Sequence, residues 1–304
     1  MNLNSEQFAA LAKMLAFLES ADSFLLLSGF AGTGKSFTVT SSLHQIRTRY
    51  PYKRICLSAP TNKALAVLRE NCKKFGIRSM DCMTIYRLLA LQPTEGENEE
   101  VLLEDKYNSP SFGKYNVVYI DEASMISLKL WVKIMNETTK HANKVILVGD
   151  EAQLTPVGEG ISPALKVPSR FQLTNIVRQA TDSPLMTVVQ QARKLVYNPN
   201  GEWNVRSLVL PDKSQGVWVL DKPTWVKAAL NSFCSTHYQE DANHTKIITW
   251  KNDTADYLNL QIREQLRDGA DAFVPGEKLT ARETAFHPYD KKVIIFPTAS
   301  ECEV

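Results

Sequence analysis

Gly29-Phe30-Ala31-Gly32-Thr33-Gly34-Lys35-Ser36 follows an apolar run, and this Gly-x4-Gly-Lys-Ser spacing is suited to holding phosphates. The glycines let consecutive backbone N–H groups close around anionic oxygens, and the start of the following helix adds positive potential. Lys35 reaches the β- and γ-phosphates and the Ser36 hydroxyl takes Mg2+. ATP and Mg2+ are therefore the expected ligands, with Gly29, Ala31, Gly32, Thr33, Gly34, Lys35 and Ser36 around them. Asp121-Glu122 closes another apolar run. By itself an acidic pair after a strand is more often a solvated turn, but its order after a phosphate loop favours chemistry. Asp121 is expected in the metal shell, and Glu122 is expected to orient and deprotonate water. Gln153, in the run GDEAQLTPVG, is an uncharged hydrogen-bonding group that can touch the γ-phosphate or its water, and so report whether ATP or ADP is bound.

Such residues must be gathered by strands that end side by side. The pattern predicts strands at Phe24–Ser28, Arg54–Ser58, Asn116–Ile120 and Lys144–Val148, with helical stretches from the phosphate loop to about Arg49 and from Lys63 to Lys73, the latter capped by Asn62. Alternating strands and helices imply an α/β fold, a parallel sheet with its ligand chemistry at the carboxyl ends of the strands. The acidic, turn-rich stretch 92–114 interrupts this rhythm and is expected to form an insertion. Past about Leu173 a second α/β pattern begins. It has a helix near Leu185–Leu195, a strand at Gly216–Leu220, a helix at Thr224–Tyr238 and a strand at Lys246–Trp250. A boundary near Asn175 divides the chain into domains 1–175 and 176–304.

With 304 residues the chain can form one or two domains, each with its own core. The 44% hydrophobic and 22% charged residues fit a globular protein, and no apolar run approaches the ~20 residues a membrane span needs. The opening stretch lacks a basic segment and places Leu11, Leu15 and Leu18 on one helical face, so a surface helix is expected rather than a secretory signal. Cys56, Cys72, Cys82, Cys234 and Cys302 form no CxxC pair, which fits a reducing, cytoplasmic setting and argues against a zinc site. A net charge of +2 leaves a polyanion partner undecided, because a local basic strip suffices.

In order along the chain, GFAGTGKS, APTNKA, TIYRLL, VVYIDEASM, GDEAQLTPVG and LTNIVR resemble the motifs of superfamily 1 DNA helicases of the RecD/Dda type. The likeness covers most of residues 1–180 and continues more weakly to about 280. It implies a RecA-like P-loop domain, a partial second RecA-like domain, and ATP hydrolysis coupled to 5′-to-3′ movement on single-stranded DNA. Duplex junctions and replication or recombination proteins are the further partners it implies. By the same likeness Gln7 reads the adenine edge, and Arg178 reaches the γ-phosphate from the second domain. Pro60, Thr61, Asn62 and Thr84 are backbone contacts to DNA. Tyr86 stands where the family usually has His, leaving base stacking and core packing both open. Trp250 and Asn252 match a second-domain strand contact, with core packing an alternative for Trp250. The 92–114 insertion corresponds to the family's strand-separating hairpin. Its apolar centre, Val101-Leu102-Leu103, suits a wedge or a strand folded onto the body.

Beyond this point the family carries a Gly-Gln-rich DNA-contacting segment preceded by Thr and His, and a Tyr-rich helix with a second arginine finger; neither precedes Val304. The second domain is accordingly expected to be cut short, with weak nucleotide binding and little or no unwinding by the chain alone. The alternative to a helicase motor is an ATP-binding nucleic-acid-binding or regulatory module that has lost unwinding. An unrelated AAA-type ATPase gives no reason for GDEAQLTPVG and APTNKA to occur together.

Overall fold

The computed structural model describes residues 3–95, 100–104, 109–177, 183–267, 273–281, 285–296 and 301–304. They divide into two compact units, Met1–Trp203 and Asn204–Val304. In the first unit the chain runs α1 (Ser5–Phe17), β1 (Phe24–Gly29), α2 (Lys35–Arg49), β2 (Ile55–Ala59), α3 (Asn62–Lys74), β3 (Asp81–Thr84) and α4 (Ile85–Leu88). It continues with β4 (Leu91–Glu95), β5 (Glu100–Glu104), β6 (Val117–Ile120), α5 (Leu128–His141), β7 (Lys144–Gly149), β8 (Arg170–Leu173) and α6 (Pro184–Tyr197). Six strands form one sheet in the order β3-β2-β6-β7-β1-β8. Every pairing in it is parallel.

Alternation along each strand explains why both faces are covered, since successive side chains point to opposite sides of a sheet. Leu25, Leu27, Leu57, Val117, Tyr119, Ile146 and Val148 join Met14 and Phe17 of α1, Leu43 and Ile46 of α2 and Leu65 and Leu68 of α3. On the other face Leu26, Cys56, Val118, Ile120, Val145 and Leu147 meet Ile85 and Leu88 of α4 and Leu130, Trp131 and Ile134 of α5. The four predicted strands of this unit are all present, each within a residue or so of its expected bounds.

The helix cap shifts by one residue. Thr61 remains extended on leaving β2, and its hydroxyl accepts from the backbone N–H of Ala64, so Thr61 is the cap of α3 and Asn62 its first helical residue. The expected insertion contains a hairpin, with β4 and β5 antiparallel and Leu91 opposite Glu104. Leu102 packs against the second core cluster while Leu103 is exposed.

The first unit extends past the expected Asn175 boundary to Trp203 and takes in α6, whose Arg193 is ion-paired to Asp150 just after β7.

The second unit contains β9 (Leu208–Val209), β10 (Gly216–Val217), α7 (Lys222–Phe233), α8 (Thr236–Glu240), α9 (Asn252–Arg267), β11 (Lys278–Thr280), β12 (Ala285–His287), β13 (Asp290–Phe296) and β14 (Glu301–Glu303). Among the described residues its strands pair only antiparallel, as β9 with β10, β11 with β14 and β12 with β13. The expected strand at Lys246–Trp250 does not form: these residues are irregular, Ile248 is 96% and Trp250 93% exposed, and among the described residues no strand pairs with them. The expected Gly216–Leu220 strand shortens to β10, and the expected Thr224–Tyr238 helix breaks into α7 and α8 at Ser235, whose hydroxyl caps α8.

The buried Ser42 hydroxyl and Tyr119 Oη are 2.7 Å apart in the first core. Tyr119→Phe leaves Ser42 without that partner and is expected to destabilise the first unit by about 1–3 kcal/mol, whereas adding Ser42→Ala should recover much of the loss. Thermal denaturation of both variants checks this; a Tyr119→Phe variant as stable as wild type would show that the bond contributes nothing.

Candidate ATP site and DNA track

The parallel sheet brings the carboxyl ends of its strands into one row. Residues after β6, β7 and β1 are neighbours there: Asp121-Glu122, Gly149-Asp150 and the phosphate loop. The residues after β2 and β3, Pro60-Thr61-Asn62 and Thr84, continue the same edge. Thr84 lies four strand spacings from β1, or about 19 Å at the usual interstrand separation.

The phosphate loop is shaped by close approaches. Gly34 has φ +85° and caps α2, and a Cβ there would lie 2.3 Å from the Gln7 side-chain nitrogen. Gly29 is equally confined, since its Cβ would meet Thr33 Oγ1 at 2.8 Å and the Leu173 carbonyl at 3.0 Å. Lys35 folds back so that Nζ donates to the carbonyls of Gly29 at 2.7 Å and Phe30 at 3.2 Å. Thr33 Oγ1 donates to the Phe30 carbonyl at 2.8 Å, and the Val177 N–H donates to the Gly32 carbonyl at 2.9 Å.

Gln7 is buried against this loop. Its Nε2 donates to the Thr33 carbonyl at 3.1 Å, while its Oε1 accepts from the Asn4 N–H at 3.1 Å in a capping box at the start of α1. The amide thus braces the loop directly. Glu6, one residue earlier, accepts from the N–H groups of Thr174 and Asn175 and from the Thr174 hydroxyl, at 2.7–2.9 Å. These bonds hold its carboxyl below the ordinary value despite the opposing effect of burial. They tie the chain after β8 to α1.

Electrostatics converge on Lys35. Burial lowers its pKa, while Asp150, Asp121 and Glu122 act in the opposite direction. Burial pushes the Asp121 carboxyl up, opposed by the Glu122 N–H that it accepts at 2.9 Å and by Lys35. Glu122 is raised by burial and by the neighbouring charges of Asp121 and Asp150, with Lys35 opposing. Its backbone is left-handed, at φ +53° and ψ 43°. A non-glycine residue in that region stores strain, which persists at sites where surrounding structure fixes it.

Gln153 is exposed on the turn after β7, where its N–H donates to the Asp150 carbonyl. Thr61 and Thr84 both cap helices, with their hydroxyl oxygens accepting from Ala64 and Arg87 N–H groups at 3.2 Å; each O–H remains a donor. Pro60 is buried, and Tyr86 packs against the second core cluster. Trp250 and Asn252 are exposed in the second unit, Asn252 opening α9. Arg178 lies outside the described residues.

Sequence reasoning omitted Phe30, Glu6, Asp150 and Arg193 from the site. Asp150 had a local signal in GDEAQ, and Phe30 lay within the loop. Arg193 had none, because its partners are brought to it only by the fold.

The residues present suit a magnesium nucleotide: a glycine loop opening a helix, a buried lysine, a serine and two raised carboxylates. Among the described residues no cluster of three or more His, Cys, Asp and Glu side chains could by itself hold a metal ion. All five cysteines are free, and burial pushes the thiol of Cys56 up to about 12. No described helix is long and apolar enough to cross a membrane.

A protein-family model described as an AAA domain matches residues 2–195, and the chain belongs to that family. It is similar to the ATP-dependent DNA helicase Dda of Enterobacteria phage T4, with 28% identity over 271 residues, 86% of this chain and 57% of the phage protein. It is also similar to the RecBCD enzyme subunit RecD of Haemophilus influenzae, 33% identical over 146 residues, covering 45% of this chain and 23% of that one. Among solved structures, the Pif1 helicase of Candida albicans aligns over 94% of this chain and 66% of that chain, at 17% identity and a TM-score of 0.48. The chain thus spans about half the length of the phage relative. The superfamily 1, RecD/Dda-type resemblance and the P-loop fold are borne out.

Glu122→Gln tests the acid–base reading. It should abolish ATP turnover while leaving nucleotide binding. With its pKa raised, the folded protein favours neutral Glu122, so this group's contribution to stability is present at low pH and lost as pH rises through the folded pKa. The amide fixes a neutral side chain, and the nucleotide-free variant should melt higher than wild type at neutral pH. Correspondingly, wild-type kcat/KM, which reports the free enzyme, should fall with decreasing pH through a pKa above 4.5, the ordinary value for glutamate. Unimpaired turnover by Glu122→Gln would remove Glu122 as the base.

Proposed function

We propose that this chain is the ATP-hydrolysing motor part of a superfamily 1 DNA helicase, coupling ATP turnover to movement on single-stranded DNA. The observation that carries this reading is the single row of strand ends, with Lys35, Asp121, Glu122 and Asp150 at one part and Thr61 and Thr84 at another. A nucleotide state felt at one end has a rigid route, the sheet itself, to a strand held at the other.

In this proposal the loop N–H groups and Lys35 hold the β- and γ-phosphates, and Ser36 and Asp121 hold Mg2+, which neutralises phosphate charge. Glu122 takes a proton from the attacking water, and Gln153 reads the γ-phosphate. Arg178 would stabilise charge in the transition state from the second domain. The Gln7 amide, already seated on the loop through Thr33, would read the adenine edge. Thr61, Asn62 and Thr84 would donate to DNA phosphates without reading bases, beside Pro60 and Tyr86, with Trp250 and Asn252 as the second unit's contacts. Single-stranded DNA and duplex junctions are the proposed substrates, with replication or recombination proteins as partners.

One observation favours a second reading, an ATP-binding nucleic-acid module without unwinding. The second unit has no parallel sheet among its described residues, whereas a two-domain motor steps by closing two such domains on ATP.

Steady-state ATP hydrolysis with and without single-stranded DNA separates the readings. The motor requires DNA-stimulated turnover that Lys35→Ala abolishes; tight DNA binding without stimulation supports the module instead. Thr61→Ala with Thr84→Ala should weaken DNA binding similarly for unrelated sequences, and wild-type affinity should fall steeply with salt. Salt-indifferent binding would contradict a phosphate track.

A further inference from the structure

Arg193 touches two motifs from a helix that belongs to neither. From α6, its Nη2 donates to Asp150 Oδ1 at 2.7 Å and its Nη1 to Asp150 Oδ2 at 3.2 Å, a forked pair with both carboxylate oxygens. The two side chains are 18% and 3% exposed, so water competes little for this pair. The guanidinium carbon lies 3.5 Å from the centre of the Phe30 ring, inside the phosphate loop. Tyr197, on the same helix, accepts from Arg193 Nη2 at 3.5 Å, with its ring centre 6.0 Å from the guanidinium carbon.

Both partners lead to groups that meet phosphate in the reading above. The Phe30 carbonyl accepts from Lys35 Nζ and from the N–H and hydroxyl of Thr33, so the residue under Arg193 is an anchor point of the loop. Asp150 Oδ1 also accepts from the Ala152 N–H at 3.0 Å, and the Asp150 carbonyl accepts from the Gln153 N–H at 3.1 Å. Asp150 therefore shapes the turn that presents Gln153. It also attracts Lys35, an attraction that Arg193 opposes by occupying the same carboxylate. Among the described residues the buried guanidinium Nε has no hydrogen-bond partner. Burying a guanidinium for helix packing alone carries a desolvation cost that an apolar side chain avoids.

We propose that Arg193 is a positioning residue for ATP hydrolysis, clamping the phosphate loop through Phe30 and the Gln153 turn through Asp150 so that Lys35 and Gln153 meet one phosphate in register. The inference rests on the ATPase reading and adds a residue that none of the recognised motifs contains. Arginine is required on this account: an ammonium can approach one carboxylate oxygen but cannot both fork across two and lie flat on an aromatic ring.

Arg193→Gln, Arg193→Lys and Asp150→Asn, with the Arg193→Gln/Asp150→Asn double variant, are measured for kcat and KM in the presence of single-stranded DNA. Affinity for N-methylanthraniloyl-ADP and the melting temperature are recorded for each. Misplacement of the two phosphate-facing groups should lower kcat of Arg193→Gln about 10–100-fold. ADP affinity should stay within about threefold, because loop N–H groups and Lys35 still hold the β-phosphate. Arg193→Lys should remain impaired, and the double variant should lose no more than the worse single variant. Unchanged kcat in Arg193→Gln overturns the inference alone, as does a loss of kcat and ADP affinity together with melting temperature, which marks a purely structural role. A wild-type chain that turns over no ATP overturns the ATPase reading and this inference together.

Discussion

Lys35 is buried where the charges of Asp121, Glu122 and Asp150 all act on it, and the rest of the first unit is arranged around that crowding. Burial disfavours the charged form of each group, lowering the lysine and raising the carboxyls of Asp121 and Glu122. Carboxylates so close to one another repel, and Arg193 relieves part of this by engaging Asp150 from α6. On the proposed reading a magnesium nucleotide relieves the remainder, with the metal beside Asp121 and phosphate oxygens beside Lys35. The site is then least stable when empty, which is the condition under which a ligand's charge has the greatest effect on its surroundings.

Crowding of this kind requires precise backbone support, and the parallel sheet supplies it. β6, β7 and β1 are adjacent, so residues far apart in sequence arrive side by side without long connections. The buried apolar alternation on both faces fixes each strand's register, because a slip of one residue would exchange its two faces. Gln7 and Glu6 then fasten α1 to the loop and to the chain leaving β8. The left-handed Glu122 is held within the same framework.

Much of this was legible in the sequence. The apolar runs that end in GFAGTGKS, DE and GD are each bounded by residues that cannot continue a buried strand, so β1, β6 and β7 were readable with their chemistry attached. The Asn62 cap was misplaced because Thr and Asn both cap well, and only the extended backbone at Thr61 decides between them. Ile247-Ile248-Thr249-Trp250 has the composition of a strand, but composition does not provide a partner edge, and among the described residues of the second unit these have none. Arg193 was invisible for a different reason. Its role arises from contacts with Asp150, 43 residues away, and with Phe30, neither of which leaves a periodic or local trace on α6.

The central claim is that the buried Lys35 cluster is a site for magnesium nucleotide. Calorimetric titration of the chain with ATPγS, in Mg2+ and in EDTA, measures this most directly, with Lys35→Ala as the paired variant. The account predicts one nucleotide per chain, tighter with Mg2+ than in EDTA and lost or greatly weakened in Lys35→Ala. Wild-type binding that is absent, or that is indifferent to both the metal and Lys35, would contradict it.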